Sequence, residues 1–275
     1  MHEYLRELSR SACVIDLGSS QGSFKHASYP FRTVLVDLEW PARKPGTAAV
    51  QADAACLPFE TGCADAVVCN HSLEHIVELD RALVEIGRVL KQEGFLFVSV
   101  PDATTLCDRL YRWLARGGGH VNAFSSATAI AAKIESLTGL PHFGTRQLFA
   151  SFSYLNRKNR KAKAPRKLLL LAGGNERFLM VGTWLLRRID QTFGTRLTHY
   201  GWAMYFGRPG QTAPKLFGWR NVCVRCGSGH PTDELIASRL VNGRFLFVKT
   251  YRCPACGASN IFTPDTSTER RAQPS

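Results

Sequence analysis

The stretch Val14-Ile15-Asp16-Leu17-Gly18-Ser19-Ser20-Gln21-Gly22 decides how the rest of the chain is read. An apolar run that begins at Ala12 empties into a Gly/Ser turn. This is the pattern of a strand buried on both faces of a parallel sheet, ending where the backbone can approach a ligand closely. Working outward, residues 33–37, 50–53, 64–70 and 95–101 form four more such runs. Between the last two, Val77, Leu79, Leu83, Ile86 and Leu90 recur at helical spacing, and Gly94 is expected to stop that helix. Further helices are expected at 2–10, 104–115, 126–137 (Ser125 or Ser126 as N-cap) and 175–191, and further strands at 148–155 and 200–206. Strands alternating with helices imply an α/β, doubly wound sheet with right-handed crossovers.

Such sheets bind nucleotides outside the carboxyl ends of their strands. Asp37 ends the second run, 21 residues beyond Asp16. A carboxylate there can accept two hydrogen bonds from ribose hydroxyls.

Four blocks then follow in order: VIDLGSSQG (14–22), VLVDLE (34–39), ADAACLPFETGCADAVVCNHSLEHI (52–76) and RALVEIGRVLKQEGFLFVSVPD (81–102). Over residues 10–105 this arrangement resembles the class I S-adenosylmethionine-dependent methyltransferases, in their type 11-like group. The resemblance implies a Rossmann-like seven-stranded sheet with helices on both faces, closed by 148–155 and 200–206 as an antiparallel end pair. It implies that Asp16, Gly18, Ser19 and Gly22 shape the turn under the methionine part of the cofactor and that Asp37 holds the ribose. It also implies that Asp53 and the Ala54 N–H face the adenine, and that Asn70 and His71 lie near the reactive methyl. Ser20 stands where the family has its middle glycine, a departure that bears on affinity more than on fold.

Methyl transfer from a sulfonium is an in-line displacement driven mainly by alignment, and a base is needed only for a weakly nucleophilic acceptor. His71, His120 and Tyr111 are the candidates for that base. Glu74 and His75 read as packing and capping residues at the start of the following helix. Residues 117–125, GGGHVNAFS, look like the family's acceptor-side loop.

Nine cysteines are distributed unevenly. Five stand alone, while Cys223/Cys226 and Cys253/Cys256 form two CxxC pairs, each followed by Gly and separated by 26 residues. Four thiolates at this spacing suit one structural, tetrahedral Zn²⁺ in a zinc-ribbon module, with Asn242-Gly243 as the turn of the hairpin between the knuckles. A redox dithiol is the lesser alternative. Isolated cysteines and a charged start without an apolar signal segment point to a reducing, cytoplasmic setting. No apolar stretch is long enough for a transmembrane segment.

The 275 residues, 45% hydrophobic and 21% charged, have the composition of a chain that buries a core, which excludes a disordered or collagen-like protein. The net charge of +13 is confined to one half. Residues 1–150 carry 14 basic and 16 acidic side chains, and residues 151–275 carry 21 and 6. Seven basic residues fall within 157–167. That run fits contact with RNA or an anionic surface, or a solvated loop. The organisation expected is a methyltransferase domain at 1–207 with a basic insertion at 157–193, a linker at 208–214, a zinc ribbon at 215–264 and a disordered tail at 265–275. The function expected is methyl transfer to an oxygen or nitrogen of a small molecule, sugar or cell-surface precursor. An RNA methyltransferase and a non-catalytic cofactor-binding scaffold stay open beside it.

Overall fold

A computed structural model describes residues 1–19, 22–41, 44–114, 119–150, 176–208, 221–245 and 247–264. Ser20, the basic run at 157–167, all but the first residue of the expected linker, and the tail at 265–275 lie outside the described residues. In chain order the elements are α1 His2–Leu5, β1 Cys13–Leu17, β2 Arg32–Asp37, β3 Thr47–Gln51, β4 Ala64–Asn70, α2 Leu79–Val89, β5 Leu90–Pro101, α3 Leu106–Leu114, α4 Ala127–Thr138, β6 His142–Phe149, α5 Glu176–Phe193 and β7 His199–Gly207. Short strands follow at Asn221–Val222 (β8), Gly229–His230 (β9), Val241–Phe245 (β10), Val248–Arg252 (β11) and Ser259–Ile261 (β12), with α6 at Thr232–Ala237.

The main sheet has seven strands, the number the resemblance implied, in the order β3-β2-β1-β4-β5-β7-β6. β1 pairs in parallel with β2 and β4, β2 with β3, and β4 with β5. The Gly207 N–H donates to Pro141 O at one end of the β6/β7 pair, and the Ala150 N–H to Thr198 O at the other. Residue numbers therefore rise along one strand as they fall along the other, so the pair is antiparallel. After β1 the chain steps outward to β2 and β3, then returns to the opposite side of β1 as β4. That reversal opens a crevice beyond the carboxyl ends of β1 and β4.

Burial explains why these residues form strands. Val14, Ile15, Leu17, Leu35, Val36, Val67, Val68, Leu96, Phe97 and Val98 are all at most 2% exposed, covering both faces of their strands. Helix α2 turns Leu79, Leu83, Ile86 and Val89 into one core with Ile15, Leu17, Val36, Val67, Leu96 and Val98. Full burial of a large aliphatic side chain contributes about 1.5–3 kcal/mol relative to exposure. Helix α4 is capped by Ser126, whose Oγ accepts the Ala129 N–H at 3.3 Å, and ends on Gly139 in the left-handed region.

Several expected boundaries differ. Val77 is 81% exposed and precedes α2, because Leu73–His75 forms its own 3₁₀ turn and separates the Leu-Glu-His block from the helix. Gly94 does not end α2: the helix stops at Val89, and Gly94 lies inside β5. The register against β4 jumps from Ala64↔Leu90 to Ala66↔Phe95, so the polar segment Lys91-Gln92-Glu93-Gly94 is a bulge within one long strand. The strand expected at 148–155 begins at His142. Its buried positions Gly144, Arg146 and Leu148 alternate with partly exposed ones, but Gly and Arg disguise the period. Arg146 is buried because Glu3 and the Tyr205 hydroxyl accept its hydrogen bonds.

By its contacts the chain falls into two units. The first comprises Met1–Pro101, Val121–Arg146 and Trp202–Lys215, and the second Asp102–His120, Gln147–Gly201 and Leu216–Ser275. In the second, Cys107 and Ala150 pack with Leu110, Leu179, Leu186 and Tyr200, and burial pushes the Cys107 thiol up to about 12. No helix among the described residues is long and apolar enough to cross a membrane.

Candidate functional site

The first unit gathers the expected cofactor residues at the carboxyl edge of β1, β2, β3 and β4. The Gly18 and Ser19 N–H groups both donate to Val36 O, at 2.8 and 3.2 Å, which ties the turn to the residue before Asp37. The Ala52 N–H donates to Asp37 O at 3.0 Å, and so ties Asp37 to the segment leading into Asp53. The Asp53 carboxylate accepts the Ala55 N–H at 2.9 Å and shapes a local turn around Ala54.

Beneath the turn, Asp16 is fully buried. Its carboxylate accepts the Ser23 N–H (2.9 Å) and Ser23 hydroxyl (2.6 Å) and meets His26 Nε2 at 2.9 Å. Asp16 is therefore a structural anchor that folds the chain after Gly22 back under β1. Gly18 has φ +67°, and a Cβ placed there would lie 2.4 Å from Ser72 Cβ. A Cβ on Gly22 would lie 2.5 Å from His26 Cε1 and 2.6 Å from Lys44 Nζ. The turn after β1 thus touches the loop after β4, with no room for a side chain between them.

Asn70 ends β4 and His71 begins that second loop. Ser99 on β5 donates its hydroxyl to Asn70 Oδ1 at 2.7 Å, and the His71 N–H is held by Ser99 O and Oγ at 3.0 and 3.1 Å. His71 has φ +56°, uncommon for a residue with a Cβ, and its Nδ1 lies 3.8 Å from the buried Glu74 carboxylate. Asn122 then fixes the loop: its side chain donates to Leu73 O (3.0 Å) and Ile76 O (2.6 Å), while the Val121 and Asn122 N–H groups donate to Glu74 O. Replacing Asn122 by Ala removes the side-chain donor to Ile76 O and one of the two donors to Leu73 O. The variant is expected to lose about 1–3 kcal/mol in urea denaturation and to bind the cofactor more weakly by titration calorimetry.

The residues that sequence reasoning passed over are Ser72, Ser99, Ser23, His26 and Asn122. Ser99 carried a signal, since it is polar inside an apolar run and occupies the position where β4 and β5 present their ends. The cradle fits a nucleotide-type group. The Ser19 hydroxyl is buried and has no hydrogen-bond partner among the described residues, and Asp37 lies one residue beyond the carbonyl that holds the turn.

The other two base candidates lie in the second unit. His120 Nδ1 is 3.5 Å from Asp108 Oδ1, and the His120 and Tyr111 ring centres are 5.0 Å apart. Burial alone would raise the Asp108 carboxyl, but hydrogen bonds from His120 and Arg112 hold it below the usual carboxylate range. Its folded pKa is below the unfolded value of about 3.9, so its stabilisation is complete above that pH and is lost as pH falls through the folded value. Urea denaturation from about pH 5 to pH 2 should show a steeper loss for the native chain than for Asp108→Asn.

Residues 4–98 match the methyltransferase domain family. The matched stretch holds every expected cofactor residue described above. Among curated proteins, the chain is similar to a malonyl-[acyl-carrier protein] O-methyltransferase of Methylococcus capsulatus, with 29% identity over 139 residues. That match covers 46% of the chain and half of the relative's length. The solved structure of the BH2331 protein of Bacillus halodurans aligns with TM-score 0.52 at 16% identity, covering 76% of this chain and 97% of that one. The YcgJ protein of Bacillus subtilis aligns with TM-score 0.49 at 18% identity, with the same coverages. The fold is the Rossmann-like methyltransferase fold.

A second cluster lies in the second unit. The Sγ atoms of Cys223, Cys226, Cys253 and Cys256 all lie within 4.8 Å of one another and are buried. The Cys223–Cys256 and Cys226–Cys253 sulfurs are 3.5 and 3.7 Å apart. Four sulfurs at about 2.3 Å around a tetrahedral ion stand roughly 3.8 Å apart, so the spacing fits Zn²⁺. The two knuckles repeat one hydrogen-bond pattern. The Gly227 N–H donates to Cys223 O and the Cys223 N–H to Ser228 O, while the Gly257 N–H donates to Cys253 O and the Cys253 N–H to Ala258 O. Both glycines have positive φ. The Asn260 amide also donates to Cys223 Sγ, and His230 Nε2 lies 3.3 Å from Cys253 Sγ. Crowding by the other three sulfurs pushes the Cys223 thiol well up. A bound cation would favour the thiolate instead.

The hairpin between the knuckles differs from expectation. Asn242 and Gly243 are not its turn: they pair with Thr250 and Lys249 inside β10, and the chain reverses between Phe245 and Val248. Asn-Gly favours a tight turn when it sits midway between two strands of matched length. Here the backbone register pairs residue 245 with Val248 and so places the reversal further along. Helix α6, between the first knuckle and the hairpin, was not foreseen.

Proposed function

We propose that the chain is an S-adenosylmethionine-dependent methyltransferase acting on an oxygen or nitrogen of a small-molecule acceptor, with a structural Zn²⁺ in its four-cysteine cluster. The observation that carries this reading is the linked edge Gly18–Val36–Asp37 on one side and Gly18–Ser72 on the other, at the reversal between β1 and β4. Gly18, Ser19 and Gly22 would cradle the amino-acid part of the cofactor, Asp37 the ribose hydroxyls, and Asp53 with Ala54 the adenine side. Asn70 and His71, locked by Ser99, would border the reacting end. The sulfonium supplies an electrophilic methyl group. The protein's part is to align the acceptor and exclude water.

The Methylococcus relative is named for O-methylation, which favours an oxygen acceptor. An oxygen with a high pKa needs a base. His71 and His120, the latter with Asp108 and Tyr111 beside it, are the side chains to vary. If one of them is that base, its Ala variant lowers kcat and leaves cofactor affinity intact.

Incubation with radiolabelled cofactor and fractionated cell extract should label a small-molecule fraction. Asp37→Ala should bind the cofactor about 10–100-fold more weakly, since two charge-assisted hydrogen bonds are lost. Label appearing only in RNA would replace the small-molecule reading, and no label in any fraction would leave a cofactor-binding scaffold.

A further inference from the structure

Helix α5 leaves one face without a partner among the described residues. Met180, Thr183 and Arg187 turn inward, and Arg187 is held there by Ile261 O at 3.1 Å and the Phe149 ring at 5.6 Å. On the opposite side Phe178, Leu185, Ile189 and Phe193 are 69, 48, 38 and 74% exposed. At 100° per residue these four lie within an arc of roughly 80°, and they run about 22 Å along the helix. Large apolar side chains scattered singly over a surface need no explanation, but a continuous stripe does.

The stripe's surroundings are cationic and aromatic. Arg177 and Arg188 are exposed along one border. Arg188 lies over the Trp184 ring at 5.3 Å, and Trp184 packs against Phe247, itself 53% exposed, with ring centres 4.3 Å apart. No carboxylate lies on the stripe. Asp190 is spent on the Thr195 and Thr198 hydroxyls and the Leu197 and Thr198 N–H groups. In sequence, the run with seven basic residues at 157–167 ends eight residues before α5, within a half of the chain carrying 21 basic and 6 acidic side chains.

We propose that α5 is a docking surface for an anionic lipid bilayer, lying in the interface plane with Phe178, Leu185, Ile189 and Phe193 in the acyl boundary and Arg177 and Arg188 among the headgroups. An apolar face bordered by Arg, with Trp beside it, meets the two demands of such a surface, buried apolar area and attraction to negative headgroups. Nucleic acid would use the positive charge but gives aliphatic Leu185 and Ile189 no partner. This proposal is independent of the methyl-transfer reading.

The test is co-sedimentation of the full chain with vesicles of phosphatidylcholine alone and of phosphatidylcholine with about 30% phosphatidylglycerol. The chain should sediment with the anionic vesicles, be released by high salt, and stay soluble with the neutral ones. The double variant Ile189→Glu/Phe193→Glu should weaken the association at least about tenfold while keeping the native circular-dichroism melt. If that variant melts early, Phe193→Ser, at the most exposed position, should show the same direction. The proposal is overturned by absence of sedimentation with anionic vesicles, by equal binding to neutral ones, or by unchanged binding in a folded variant. It is also overturned if the stripe variants abolish a gel shift with RNA or a concentration-dependent dimer in place of vesicle binding.

Discussion

Replacing Gly18 by alanine is expected to abolish binding of S-adenosylmethionine at concentrations that saturate the native chain. Two costs coincide at this residue. The left-handed backbone at φ +67° costs a residue with a Cβ about 1–2 kcal/mol. The added methyl would sit 2.4 Å from Ser72 Cβ, well inside contact distance, and Ser72 is itself buried. Relief by moving the turn would stretch the Gly18 N–H to Val36 O bond that keeps the turn against β2. Relief by moving Ser72 would displace His71 and the loop that follows Asn70 at the end of β4. Either shift opens the crevice where the account needs it closed. Overpacking adds about 1–3 kcal/mol to the loss of stability. The companion variant Gly18→Ala/Ser72→Gly removes the collision but not the backbone strain, so it should recover part of the affinity. Titration calorimetry on both would show whether contact between the two loops matters; equal, near-native affinity for both would refute it.

The second large effect is removal of metal. The native chain should carry one zinc per molecule by elemental analysis, and a strong chelator should unfold residues 221–264. Free energies of about 10–16 kcal/mol link structural zinc to folding in small modules, and the strands here are two to five residues long. Cys223→Ala should mimic the chelator, because it leaves three sulfurs and removes one of the two acceptors of the Asn260 amide. Amide hydrogen exchange would localise the loss to β8–β12. Unchanged protection in the chelated chain would mean that the four cysteines do not depend on a metal for their arrangement.

How much of this was legible in the sequence depended on the kind of signal. The strands at 13–17, 32–37 and 64–70 were readable because both of their faces are buried, which leaves an uninterrupted apolar run. The candidate site residues Gly18 and Asp37 followed from position, since each sits where such a run ends, whereas Asn70 was singled out only by the family resemblance. The starts of β5 and β6 were not readable: Lys91-Gln92-Glu93-Gly94 and Gly144/Arg146 look like loop by composition, and only pairing to neighbouring strands makes them strand. The hairpin turn was misplaced because Asn242-Gly243 is a local preference that the cross-strand register overrides. Asn122 and Ser72 were invisible as site-building residues. Their partners lie 46 to 54 positions away in the chain, at Leu73, Ile76 and Gly18, and no periodicity encodes such contacts.

If the edge formed by Gly18, Asp37 and Asn70 is the S-adenosylmethionine site, isothermal titration of the purified full chain with S-adenosylmethionine will give saturable binding of one molecule per chain. The absence of any binding would refute that assignment.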